Sequence, residues 1–126
     1  MYSVTVTEPF VAQHYLTVPN PPPEEANVHS HAFEVEATFR GESLAEYGYL
    51  LDIDVARAEL DTAVDRYRDE TLNEYLDGNP SCERLAAALF DHLVAAVDAP
   101  AVDELTVAIH EDDTAIVTYT GRFDTD

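Results

Sequence analysis

Three histidines near the start of the chain have a spacing that suits a metal ion. His29 and His31 are two residues apart in VHSHAFEVEATF, residues 28–39, whose alternation predicts a strand. Side chains two apart on a strand share a face, and here that face also carries the apolar residues. His14, in the strand-like segment before them, offers a third imidazole. Three histidines with an open position are typical of catalytic zinc, and surface or hydrogen-bonded core histidines are the alternative interpretation.

The elements that position these histidines follow from the periodicity of the rest of the chain. A proline-rich loop is predicted for residues 17–27 and a turn region for residues 40–51. Strands are predicted at residues 3–16, 28–39, 104–110 and 115–121, and helices after the N-caps Asp52 and Ser81. The order ββααββ indicates an α+β domain over residues 1–126, with a four-stranded antiparallel sheet and two helices packed on one face.

The charge of the chain is strongly negative. There are 26 acidic and 6 basic side chains among 126 residues, a net charge of −20 at pH 7, and all the basic residues are arginine. Such a surface repels itself in dilute buffer and is screened in concentrated salt, which favours adaptation to salt. A merely acidic protein, or one with a basic partner, is the alternative. Nucleic acid is not an expected partner, because no basic patch is present to neutralise phosphates.

The remaining composition indicates a small folded protein. Hydrophobic residues make up 46% of the chain, which is too many for an acidic disordered segment. No apolar stretch is long enough for a membrane span, and the first residues do not have the pattern of a signal peptide. A single cysteine, Cys82, excludes a disulfide framework and a cysteine-based zinc site. We therefore expect a cytoplasmic protein that does not bind membranes.

Five segments, in order, resemble the 6-pyruvoyl-tetrahydropterin synthase / 6-carboxytetrahydropterin synthase family. The first two are similar to its strands with the zinc histidines, although Ser30 replaces the usual glycine between the paired histidines. The others are similar to its turn into the first helix, its L-N segment with the start of the second helix, and its closing V-x-E-T strand pair. The segments are FVAQHYL, VHSHAFEVEATFRG, EYGYLLDI, TLNEYLDGNPSCERLAAALF and VAIHEDDTAIVTY. The resemblance covers nearly the whole chain and implies the T-fold.

The resemblance assigns roles to several side chains. It implies zinc on His14, His29 and His31, and a grip on the amino-pyrimidine edge of a pterin by Glu111. By the alternation of its strand, Glu111 lies on the same face as the apolar residues. A carboxylate there destabilises the fold unless it is paired, for example with two adjacent N–H donors. A plain hairpin-turn residue is the alternative. Ser81 matches a threonine near the pterin, although helix capping explains it equally well, and Cys82 is interpreted as structural.

The chain departs from the family at the catalytic positions. The family's cysteine, four residues before the paired histidines, falls on Glu25, and its Asp-His dyad falls on Arg68 and Asp69. A carboxylate is already ionised at neutral pH and needs no histidine to activate it. Replacement of the cysteine is therefore consistent with replacement of the dyad histidine. Glu25 and Asp69 are therefore the predicted proton-transfer groups. The alternative is that Glu24 and Glu25 are two ordinary solvated acids. A related branch carries Glu in an E-x-x-H-G-H pattern, but its position here is Ala26.

The implied function is that of a zinc-dependent lyase acting on 7,8-dihydroneopterin triphosphate. The product could be 6-carboxytetrahydropterin, on the route to deazaguanine-modified tRNA, or 6-pyruvoyl-tetrahydropterin. The alternatives are a hydroxymethyl-dihydropterin-forming paralogue with glutamate as base, a pterin- or purine-binding paralogue without lyase activity, and a non-enzymatic metal-binding protein. The resemblance also implies a homohexamer built from two trimers, in which sheet edges join into a barrel.

Overall fold

Four strands and two long helices follow one another in the order that the sequence predicts, with one short helix added. The computed structural model describes residues 1–123. The elements are β1 (Tyr2–His14), α1 (Pro23–Ala26), β2 (His29–Gly41), α2 (Ile53–Asp65), α3 (Cys82–Ala96), β3 (Glu104–Glu111) and β4 (Ala115–Arg122), with 3-10 turns at Glu46–Gly48 and Leu72–Glu74. The predicted α+β class and the ββααββ order are confirmed.

The one-turn helix α1 lies in the segment that was predicted to be only a loop. Pro23 occupies its first turn, where a missing N–H costs nothing because that donor has no helical partner. The N–H groups of Glu25 and Ala26 both donate to the carbonyl of Pro22, at 2.9 and 3.1 Å. The proline run therefore ends in a single helical turn directly before the strand with the paired histidines.

The sheet has the order β1-β2-β3-β4, and every neighbouring pair is antiparallel. The long β1–β2 pairing runs from Tyr2 opposite Gly41 to His14 opposite His29. β1 ends at His14 and not at residue 16, because the amide side chain of Asn73 takes over both backbone groups of Tyr15 at 3.1 and 3.0 Å. The register thus brings the first histidine opposite the start of β2.

Both long helices begin at the residues that the sequence predicts as N-caps. Oδ1 of Asp52 accepts from the N–H groups of Asp54 and Val55, and Oγ of Ser81 accepts from the N–H of Arg84. α2 contacts β1, whereas α3 contacts β3 and β4, so both cover the same face of the sheet. Within residues 1–123, none of the helices has the length and apolar character needed to cross a membrane.

The two faces of the sheet differ in chemistry. On the helix-covered face of β2, four apolar side chains are almost completely buried: Phe33, Val35, Ala37 and Phe39. Their parity is that of His29 and His31, as predicted. The opposite face carries one row of threonines that crosses all four strands, formed by Thr5, Thr38, Thr106 and Thr120. Hydroxyl contacts join this row in pairs at 2.9 and 2.8 Å.

Candidate metal centre and adjoining carboxylates

The three predicted metal ligands meet where β1 ends and β2 begins. His14 is the last residue of β1 and lies opposite His29, the first residue of β2, with His31 one step along the same face. Their ring centroids are 4.7 to 5.0 Å apart. One ring nitrogen from each histidine lies within 4.8 Å of the other two. Three imidazole nitrogens therefore converge on one small volume.

Each imidazole is held by a hydrogen bond from its Nδ1 atom. The Nδ1 of His14 contacts the carbonyl of Pro80 at 3.0 Å, and that of His29 contacts the carbonyl of Asn27 at 2.8 Å. The Nδ1 of His31 contacts Oδ2 of Asp112. Because these oxygens only accept hydrogen bonds, each Nδ1 carries a proton, and in the neutral imidazole this leaves the lone pair on Nε2. This is the arrangement of metal-binding histidines, whose outer nitrogen is fixed by a second group.

The lone pairs on this cluster are not used within the described chain. The Nε2 atoms of His29 and His31 are buried and have no hydrogen-bond partner among residues 1–123. A buried polar atom without a partner destabilises the fold, and a cation at this point would satisfy both atoms. Burial lowers the pKa of His14 from its usual value, and the carbonyl of Pro80 only partly opposes this. His14 is therefore neutral at physiological pH, the form that binds metals. The donor set fits zinc, which prefers imidazole nitrogen.

Two consecutive carboxylates adjoin the histidines at the end of β3. Oε1 of Glu111 lies 3.4 Å from the Nδ1 of His31, and Oε2 accepts a hydrogen bond from the thiol of Cys82 at 3.0 Å. The side chain of Glu111 is 27% exposed, in agreement with its predicted inward direction. The carboxylate of Glu111 therefore stands between the three histidines and the first turn of α3, with part of its surface open to a ligand.

Asp112 is a member of the site that the sequence reasoning did not single out. Its Oδ1 accepts from the N–H of Ala32 at 2.9 Å, and its own N–H donates to the carbonyl of Ala32 at 3.0 Å. The hydrogen bond with His31, followed by the bond with Ala32, lowers the pKa of the Asp112 carboxyl below its usual value. Its place follows from the β2–β3 register, in which Glu111 lies opposite Phe33 and the next residue lies beside Ala32, and no local sequence pattern indicates that register.

Cys82 also belongs to this site, through its contact with Glu111. The side chain is 7% exposed in the first turn of α3. Burial, and then the hydrogen bond with Glu111, raise the pKa of the Cys82 thiol far above its usual range. It is thus a protonated donor and not a thiolate, so a nucleophilic role is not available to it at neutral pH.

Comparison with known proteins agrees with this architecture. A sequence model of the family 6-pyruvoyl tetrahydropterin synthase matches residues 3–122. The chain belongs to this family. No curated protein sequence is significantly similar to the chain. Among solved structures, the synthase of Caenorhabditis elegans is 21% identical with a TM-score of 0.76, and 95% of each chain is covered.

Two further solved structures of synthases have the same fold. The Plasmodium falciparum synthase is 13% identical with a TM-score of 0.82, over 96% of this chain and 98% of that one. A catalytic-residue mutant of the Plasmodium vivax synthase is 15% identical with a TM-score of 0.82 over the same fractions. These likenesses confirm the predicted T-fold, a four-stranded antiparallel sheet with helices on one face.

The structure places Glu25 and Asp69, the predicted proton-transfer residues, beside the strands that carry the histidines. The carbonyl of Glu25, in α1, accepts from the N–H of Leu16 at 2.8 Å, and Leu16 is two residues after His14. Asp69 is exposed, has a φ of 56° and donates its N–H to Val11 of β1 at 2.8 Å. In the described part of the chain, neither carboxylate forms a hydrogen bond with the histidines or with Glu111. Their roles in catalysis stay predictions.

Arg68 and Ser81 have local partners of their own. The guanidinium of Arg68 forms ion pairs with Glu8, Asp61 and Asp65, so it stabilises the surface beside β1 and does not reach the histidines. The hydroxyl oxygen of Ser81 caps α3, at 3.2 Å from the N–H of Arg84. Ser81 directly follows Pro80, whose carbonyl holds His14, so the N-cap of α3 lies next to a residue that contacts the histidine cluster.

Proposed function

We propose that this member of the tetrahydropterin synthase family is a zinc-dependent lyase that acts on 7,8-dihydroneopterin triphosphate. The observation that carries the proposal is the pair of buried, unpartnered Nε2 atoms of His29 and His31 beside neutral His14. A partly exposed carboxylate, Glu111, adjoins this cluster and offers the acceptor that a pterin ring needs. Family membership supports the reaction class, and these groups support the site.

In this proposal, His14, His29 and His31 hold the zinc through their Nε2 atoms. When bound, zinc supplies a Lewis acid that polarises the side-chain hydroxyls next to C6 of the pterin. The hydrogen bonds from the three Nδ1 atoms fix the ring orientations before the metal arrives, which lowers the ordering cost of binding.

Glu111 and Ser81 bind the ring in this proposal. The carboxylate of Glu111 accepts from the two adjacent N–H donors of the amino-pyrimidine edge, a charge-assisted contact with a fixed direction. The thiol of Cys82 orients one carboxylate oxygen and leaves its other lone pair for the substrate. The hydroxyl oxygen of Ser81 is used by the helix cap, so its proton is free to donate to the substrate.

Glu25 and Asp69 move the protons in this proposal. The Plasmodium vivax synthase provides support, because two of its structures are described as catalytic-residue mutants in which a glutamate is replaced by alanine or by cysteine. A glutamate is thus a catalytic residue of that synthase, and the proposal gives this role here to Glu25, one position before Ala26. Glu25 is carried by a turn tied to both strands of the site, since its carbonyl binds Leu16 after β1 and α1 leads directly into β2.

The test is turnover by the zinc-loaded protein at high salt, with products separated by chromatography. We expect a tetrahydropterin product, loss of its formation on zinc removal, and recovery on zinc return. Glu111→Gln should raise KM about 10- to 100-fold, the scale of a lost charge-assisted hydrogen bond. Glu104→Gln, which changes an exposed glutamate at the other end of β3, is the matched control and should have no effect.

Two results would change the assignment. A hydroxymethyl-dihydropterin product would place the protein with the paralogues that use glutamate as base. Zinc-loaded wild-type protein that binds a pterin through Glu111 without turnover would contradict the lyase and favour the binding paralogue.

A further inference from the structure

We propose that Asp112 is a positioning residue that orients His31 for the metal and keeps Glu111 free for the substrate. The part that concerns the substrate rests on the proposed function. The part that concerns the metal rests only on the histidine cluster and its neighbours.

Two acceptors face one donor, the Nδ1–H group of His31. The Nδ1 of His31 lies within hydrogen-bond distance of Oδ2 of Asp112, and Oε1 of Glu111 is next nearest at 3.4 Å. A single N–H proton makes one strong hydrogen bond, and Asp112 takes it. As long as it does, Oε1 of Glu111 stays available to another donor.

Asp112 is fixed in the position that this role needs. Its Oδ1 accepts from the N–H of Ala32, the residue that follows His31, and its own N–H donates to the carbonyl of Ala32. Both carboxylate oxygens are therefore engaged with the strand that carries the metal ligand. A solvated surface acid would not have two such partners.

The next residue of the same turn provides a natural control. Asp113 has the same charge and also has a positive φ, 76° against 52° for Asp112. Its side chain forms no hydrogen bond or ion pair with residues 1–123. A general effect of charge near the cluster would be shared by both aspartates, whereas positioning of His31 belongs to Asp112 alone.

Asparagine is the informative substitution. It tolerates positive φ well, so the hairpin turn is preserved. It has one side-chain acceptor where aspartate has two, so it cannot accept from both His31 and Ala32. Either the imidazole or the strand loses its partner, and the N–H of His31 is then free to turn towards Glu111.

The first measurement is zinc affinity, by competition with a chromophoric chelator. We expect Asp112→Asn to bind zinc about 10- to 100-fold more weakly, the scale for loss of a group behind a ligand, and Asp113→Asn to match wild type. In a His31→Ala background, Asp112→Asn should cause no further loss, because there is no imidazole left to orient. An unchanged affinity in Asp112→Asn, or an equal loss in both backgrounds, would overturn the proposal.

The second measurement is binding of neopterin by fluorescence, which needs no turnover. Asp112→Asn should bind neopterin more weakly than Asp113→Asn, because the N–H of His31 then occupies Glu111. Equal affinities in the two variants would contradict the proposal that Asp112 keeps Glu111 free for the substrate. The proposal that Asp112 orients His31 is decided by the zinc titration. Absence of lyase activity in the wild type would refute the proposed function without affecting either comparison.

Discussion

The thiol of Cys82 donates a hydrogen bond to Oε2 of Glu111 across 3.0 Å, which joins the first turn of α3 to the last residue of β3. A carboxylate that is only 27% exposed needs such a partner, because burial without one costs free energy. The cysteine of this chain thus contributes to the site as a neutral donor, through the residue proposed to bind the substrate.

The first prediction concerns the reactivity of this thiol. At about pH 8.5, half of an ordinary thiol is ionised and reactive. The raised pKa of Cys82 keeps it protonated there, so iodoacetamide should label the native protein far more slowly than the denatured protein, measured by mass spectrometry. Glu111→Gln removes the negative charge that helps to raise the pKa of the thiol and should speed labelling. Equal rates in the native and denatured protein would contradict the buried position.

The second prediction concerns metal content. We expect one zinc per chain in protein purified without added metal, because three imidazoles converge and two buried Nε2 atoms lack partners among the described residues. Changing both His29 and His31 to Ala should abolish this zinc in elemental analysis. His110→Ala is the control, since His110 pairs with Glu36 at 3.2 Å on the opposite face of the sheet. Full zinc content in the double variant would refute the ligand assignment.

The third prediction separates two neighbouring glutamates in α1. Glu25→Gln should keep zinc and pterin binding but lower kcat by about 10²-fold or more, the usual scale for a lost general base. Glu24→Gln makes the same chemical change one residue earlier and should leave kcat nearly unchanged. Single-turnover assays with zinc-loaded protein provide the measurement. Equal rates in Glu25→Gln and wild type would remove Glu25 from the mechanism.

The fourth prediction concerns salt. The net charge is −20, and among residues 1–123 the arginines with ion pairs are Arg40 and Arg68. Most carboxylates in this part of the chain therefore have no cationic partner, and their repulsion is screened by added ions. We expect Tm to rise steeply between about 0.1 and about 2 M KCl in thermal denaturation. A flat Tm over that range would refute salt adaptation as the reason for the composition.

The fifth prediction concerns assembly. β4 is a sheet edge that exposes Ile116 and Tyr119, and β1 is the other edge, although its end at Val11 and Gln13 already bonds residues 69–71. Unpaired strand edges favour pairing with another copy, and closure into a ring removes both edges. We expect a hexamer of two trimers by light scattering in concentrated salt. A monomer of about 14 kDa under those conditions would contradict this assembly.

Local patterns were sufficient to predict much of the fold. The alternation in β2 gave the inward direction of His29 and His31, because a side chain on a strand has only two faces to choose from. Asp52 and Ser81 were predictable as N-caps, since a short polar side chain before an apolar repeat satisfies free N–H groups. These features depend on residues close together in the chain.

Contacts between distant segments could not be predicted in the same way. The Cys82–Glu111 hydrogen bond depends on how α3 lies across β3, which no periodicity encodes. Asp112 looked like one more acid in a hairpin turn until the β2–β3 register placed it beside Ala32. β1 ends two residues before the predicted end, because the partner of Tyr15 is a side chain far along the sequence, that of Asn73.

The histidines that close β1 and open β2 also delimit the segment between them. Residues 15–28, which include α1 and Glu25, leave the sheet at His14 and return to it at His29. A metal ion shared by these two side chains would close that segment into a covalent and coordinate ring. Ring closure lowers the conformational entropy of everything inside it. The rate at which proteases cleave residues 17–27 should therefore report metal occupancy. We expect faster cleavage after the metal is removed by a chelator.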